Sequence, residues 1–197
     1  MAGLWNHRRR PLGSFFYNRS YFVGDATLLM NQSIASLVQT LSKLLEKSSI
    51  KIALAESCTG GLLAAHLTAQ AGSSRWFDRG FVTYSNAAKT ESIGVSPSQI
   101  EQYGAVSEEI AKAMAQGALK HSEAQTSIAI TGIAGPGGAT ENKPVGMVCF
   151  AWAIQKPSNP ARLIGNTQHF NGDRQAIREQ ACVYALDQLI QILSRPD

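Results

Sequence analysis

The sequence is short of charge, of paired cysteines and of long apolar runs, and each shortage narrows what the chain can be. Charged residues are 16% of the 197, too few for the highly charged, weakly hydrophobic chains that stay unfolded. At 44% hydrophobic content the chain can bury a substantial core, so one globular domain is expected behind a short front segment. Cys58, Cys149 and Cys182 lack metal-motif spacing, and His7, His66, His121 and His169 are scattered. Three such thiols suit a reducing compartment better than a disulfide scaffold, so the expected location is the cytoplasm and no metal is expected. No uninterrupted apolar segment approaches the roughly 18 residues of a membrane-spanning helix, so no membrane partner is expected.

The basic character is local. Residues 1–27 hold Arg8, Arg9, Arg10 and Arg19 against Asp25, a net +3, which leaves +1 of the formal +4 for the rest. Residues 1–27 read as a basic, flexible extension, with a weak membrane or nucleic-acid contact, organellar targeting, or residues upstream of the true start as alternatives. The domain proper is expected over 28–197, without a required nucleic-acid partner.

The stretch that organises this domain is Ala55 to Gly61. It follows the apolar run Ile50 to Leu54 and precedes a helical pattern starting at Leu62, an order that reads strand, small-residue turn, helix. Ser57 or Thr59 can cap that helix, and Gly60 and Gly61 let a ligand approach the backbone. An ordinary strand-to-helix turn is the plain alternative. Helical spacing covers Leu28 to about Glu46, strands are expected at Ile50–Leu54, Gly80–Tyr84 and Thr126–Ile130, and short helices at Leu62–Gln70 and after Ser96-Pro97. Ser107 is expected to cap the helix that follows it. After Thr126–Ile130 comes Thr131-Gly132-Ile133-Ala134-Gly135-Pro136-Gly137-Gly138, able to expose several backbone N–H donors. It lacks the lysine of a phosphate-binding P-loop, so neither ATP nor GTP is expected. Val145–Ile154 and Arg162–Phe170 read as antiparallel strands, and a final helix starts at Gly172-Asp173-Arg174.

Taken together, Ala55–Gly61, Gly80–Asn86 with Lys89, Thr131–Gly138, Pro144–Gly146 and Phe170–Arg178 resemble the C-terminal domain family of the competence/damage-inducible CinA proteins, across Leu28 to Leu193. The resemblance implies an α/β fold, a three-layer α/β/α sandwich around a mostly parallel mixed sheet. It also implies hydrolytic deamidation of nicotinamide mononucleotide to nicotinate mononucleotide and ammonia, without cofactor, in a homo-oligomer. By resemblance Ser57 is the nucleophile and Lys89 its general base, which requires the site to suppress lysine charging. Tyr84 matches the family's site tyrosine, orienting Lys89 or contacting the nicotinamide ring. Thr131 supplies a hydroxyl for the ligand or the amine, or simply caps its turn. The implied substrate-binding set comprises Glu56, Thr59, Gly60, Gly61, Asn86, Gly132, Gly135, Gly137 and Arg174. Within it Glu56 is expected rather to shape or hydrogen-bond the turn, Asn86 to bind the amide or cap the residues before Lys89, and Arg174 to be the phosphate ligand or else pair with Asp173 or another acid. A non-catalytic nucleotide-binding domain and a competence or DNA-damage interaction protein are the competing functions.

Overall fold

The computed structural model describes residues 33–155 and 160–195. The front segment 1–27, the first residues of the helix expected from Leu28, and residues 156–159 of the connection between the last two strands lie outside these. Helix α1 (Ile34–Ser48) starts where the Ser33 hydroxyl accepts the Ser36 N–H, and ends at Ser49 in the left-handed region (φ 54°). There the Ile50 N–H returns to the Leu45 carbonyl at 3.0 Å, closing the helix end. That closure consumes the Ile50 amide. Strand β1 is therefore Ile52–Glu56, two residues beyond the expected Ile50–Leu54.

The remaining elements are α2 (Leu62–Thr68), a single 3₁₀ turn (Ser73–Arg75), β2 (Phe77–Val82), α3 (Asn86–Ile93), α4 (Pro97–Tyr103), α5 (Glu108–Lys120), β3 (Thr126–Gly132), β4 (Met147–Ile154), β5 (Arg162–His169) and α6 (Arg174–Ser194). The five-stranded sheet has the order β2-β1-β3-β4-β5. Strand β1 pairs parallel with β2 and β3, β3 antiparallel with β4, and β4 antiparallel with β5. Four strands thus run one way and β4 alone runs against them, the mixed sheet anticipated.

Strand alternation separates two cores. One face carries Ile52, Leu54, Ile128, Ile130, Val148, Phe150 and Trp152, packed with residues of α1, α2 and α6. The other carries Ala53, Ala55, Ala129, Cys149, Ala151 and Ala153, packed with Ile93, Ile100, Ile110 and Met114 from α3, α4 and α5. Large side chains under one helical layer and small ones under the other make the three-layer sandwich. Trp76 is wholly buried in the large-residue core.

Register then fixes the site. Glu56 lies opposite both Val82 of β2 and Ile130 of β3, so the next residues, Ser57, Thr83 and Thr131, meet at one end of the sheet. These are the carboxyl ends of three parallel strands, where open α/β sheets bind ligands.

Candidate active site

The turn after β1 is built by Glu56. Its buried carboxylate accepts the N–H groups of Gly61 (3.0 Å), Leu63 (3.1 Å) and Ala64 (2.8 Å). These are orphan donors of the first turn of α2, and an acid at that helix end is favoured by its dipole. Gly60 and Gly61 sit at φ 59° and 92°, a path that side-chain-bearing residues rarely take. Ser57, 8% exposed, emerges from this turn. Its own N–H is held by the Ile130 carbonyl at 2.9 Å, and the Gly60 N–H returns to the Ser57 carbonyl at 3.1 Å. The Cys58 amide faces its own thiol, and among the described residues the Thr59 amide finds no backbone acceptor.

Lys89 arrives from α3, a helix not read from the sequence. Ser85 caps it through the Ala88 N–H, and Gly94 ends it in the left-handed region. The lysine is 1% exposed. Its Nζ donates to Ser57 Oγ at 3.2 Å and to the Thr83 carbonyl at 2.9 Å. No acid pairs with it among the described residues. Burial therefore dominates and pulls its pKa below the ordinary lysine value, because a desolvated ammonium without a counter-ion is strongly disfavoured.

Ser57 and Lys89 line an open cavity of about 250 Å³, together with Cys58, Tyr84, Asn86, Ala105, Thr131, Gly132, Gly135, Gly137 and Arg174. Arg174 opens α6, where the Asp173 side chain caps the helix by accepting the Ala176 N–H at 2.9 Å. Asp173 is thus engaged at the cap. The Arg174 guanidinium instead donates to the Gly135 carbonyl and the Tyr84 hydroxyl, both at 2.8 Å. Its charge meets only neutral acceptors, at the rim of a cavity.

Residues 34–193 match the family model of the CinA C-terminal domain. The chain belongs to the CinA C-terminal domain family. A relative from Enterobacter agglomerans named nicotinamide-nucleotide amidohydrolase PncC is 53% identical over 135 residues, 68% of this chain and 80% of its own. A CinA-like protein of Mycolicibacterium paratuberculosis is 51% identical over 144 residues, 73% of this chain, which spans 33% of that longer relative. The crystal structure of a CinA superfamily protein from Escherichia coli aligns with a TM-score of 0.77 at 38% identity, covering 86% of this chain and 94% of its own.

Within this CinA domain several side chains stand elsewhere than their expected roles imply. Thr59, Gly60 and Gly61 do not line the cavity and form the turn behind Ser57, while Glu56, also away from the cavity, hydrogen-bonds that turn as its turn-shaping reading expects. The Tyr84 hydroxyl meets Arg174 and not Lys89. Thr131 donates its hydroxyl to the Ala105 carbonyl at 2.8 Å, tying the end of β3 to the segment before α5 rather than reaching the amine. Cys58 lines the cavity, yet burial pushes its thiol up to about 12, which keeps it protonated and a poor nucleophile near neutrality. Arg178, one helical turn beyond Arg174, donates to the Thr59 carbonyl. The i,i+4 spacing of the two arginines was the available signal for a second basic residue on the same face of α6.

Proposed function

We propose that this CinA-family chain is an amidohydrolase that converts nicotinamide mononucleotide to nicotinate mononucleotide and ammonia through Ser57 and Lys89. The observation that carries the reading is a fully buried lysine with no acid partner among the described residues, 3.2 Å from a serine oxygen that faces an open cavity. A neutral amine is what a serine nucleophile needs from its base. The amidohydrolase name of the relative from Enterobacter agglomerans supports the same substrate class.

Uncharged Lys89 accepts the Ser57 proton as Oγ attacks the carboxamide carbon. The tetrahedral oxyanion is met by backbone donors, for which the Thr59 amide and the glycine-rich loop are suited. Lys89 then returns its proton to the departing nitrogen, the C–N bond breaks and ammonia leaves. Water, deprotonated by the same amine, attacks the acyl-enzyme; the product carboxylate forms as Ser57 regains its proton. Arg174, whose cation has no acid partner among the described residues, binds the phosphate through charge-assisted hydrogen bonds, with Tyr84 setting its orientation. Asn86 faces the same cavity as a second polar contact for substrate. No step calls for a metal or an organic cofactor. A cytoplasmic location belongs to this reading, supported by three free, buried cysteines; a homo-oligomer does too, and light scattering tests it.

The deciding experiment incubates purified protein with nicotinamide mononucleotide and follows ammonia and nicotinate mononucleotide, alongside Ser57→Ala. Turnover lost in the variant, with folding retained, is the expected result. Tight binding without turnover in the native protein overturns the enzymatic reading in favour of a nucleotide-binding domain.

A further inference from the structure

We infer that Arg178 is a positioning residue for the nucleophile-bearing turn, an inference that rests on the Ser57–Lys89 reading above. Arg178 lies on α6, 119 residues from the turn it touches. Its Nη2 donates to the Thr59 carbonyl and its Nη1 to the Gln175 side chain at 3.3 Å, while its buried Nε has no partner. It forms no ion pair with any described carboxylate. A partly buried cation with a neutral carbonyl as its main inward partner is not explained by charge neutralisation.

What that carbonyl belongs to explains it. The Ser57–Gly61 turn has glycines at two left-handed positions, and its first anchor is Glu56, which grips the amides of α2. Between these lie Cys58 and Thr59, and among the described residues the Thr59 amide has no backbone acceptor. Arg178 is the side chain that reaches this middle section from outside the turn. It holds the Thr59–Gly60 peptide by a charge-assisted bond, which is shorter and more directional than a neutral one. Its charge is also felt at Cys58, where it opposes the upward pull of Glu56 on the thiol. Helix α6 therefore acts twice on the site: Arg174 at the cavity rim, and Arg178 behind the turn that sets where Ser57 Oγ and the Thr59 amide stand.

The test compares kcat and KM of the full-length native enzyme with Arg178→Met, Arg178→Lys and Arg178→Ala, the last with and without added guanidinium. Melting and circular dichroism establish folding of each. In a folded Arg178→Met enzyme kcat falls by about 10- to 100-fold while KM stays within about threefold, the cost of a misplaced reacting group. Arg178→Lys recovers part of the loss, and guanidinium restores kcat of Arg178→Ala several-fold. A kcat within twofold of native in folded Arg178→Met overturns the inference, as does a loss confined to KM. A lowered kcat that neither lysine nor guanidinium improves also overturns it, by assigning the loss to general packing. If Arg178→Met does not fold, the Arg178→Lys split and the guanidinium response decide on the same criteria. An inactive native enzyme instead removes the Ser57–Lys89 reading on which the inference stands, a failure separate from any result with the Arg178 variants.

Discussion

Replacing Lys89 with Met separates what the amine does for chemistry from what it costs the fold. Methionine keeps an unbranched stem in a site that is 1% exposed, so packing is largely retained and Nζ is removed. Loss of a general base lowers the rate by about 10²- to 10⁴-fold, or about 3–5 kcal/mol of barrier. The fold loses the bonds from Nζ to Ser57 Oγ and to the Thr83 carbonyl, about 1 kcal/mol each. Against that stands the depressed pKa of the buried amine. Because the folded pKa lies below the unfolded one, the unfolded chain binds more protons in the window between them. Native stability accordingly falls as pH drops from the ordinary lysine range toward the depressed folded value. Lys89→Met has no such term, so its stability relative to native rises over that window. Urea denaturation at about pH 9.5 and pH 7, with turnover measured on the same samples, checks both parts. An unchanged stability difference between the two pH values, or turnover within tenfold of native, refutes the reasoning.

Native kcat/KM rises with pH along a limb set by Lys89, with a midpoint below the ordinary lysine value because the neutral amine is the active form; a pH profile without that limb removes Lys89 as base. Glu56→Ala leaves three N–H groups of α2 without their carboxylate and lowers stability by about 3 kcal/mol, read from denaturant midpoints. Arg174→Met raises KM for nicotinamide mononucleotide by about tenfold or more, with a smaller effect on the unphosphorylated nucleoside, as expected for loss of a phosphate contact. Gly117→Ala drives a Cβ into the Ile93 carbonyl oxygen and lowers stability by about 2 kcal/mol through overpacking between α5 and α3, measured by thermal melting.

The strand-turn-helix order around Ser57 was legible because it depends on local order, apolar run, small residues and helical spacing, whereas the three-layer sandwich came from the family resemblance. Helix α3 was not. Its sequence Asn86–Ile93 has little apolar periodicity, and its signals are the Ser85 cap and the Gly94 terminator. Lys89 was consequently attached to a strand end, although its reach to Ser57 depends on a helix that starts three residues earlier. The shift of β1 came from a helix-closing bond to Ile50, a tertiary detail that no propensity encodes. Arg178 was hidden for another reason. Its acceptor is a main-chain carbonyl far along the chain, and a backbone atom leaves no mark in residue identity. The engagement of Asp173 at a helix cap was written in the Asp-Arg order and in the start of α6, yet only the folded chain decides between cap and ion pair.

The alanine-lined side of the sheet gives the cavity a remote point of adjustment. Helix α5 rests on Ala129, Ala151 and Ala153, and the segment leading into that helix presents Ala105, whose carbonyl holds Thr131 at the cavity wall. Helix α3, which carries Lys89, packs on that same face, so overpacking beneath α5 strains the cavity wall that Thr131 shares with Ala105 while every residue around Ser57 keeps its identity.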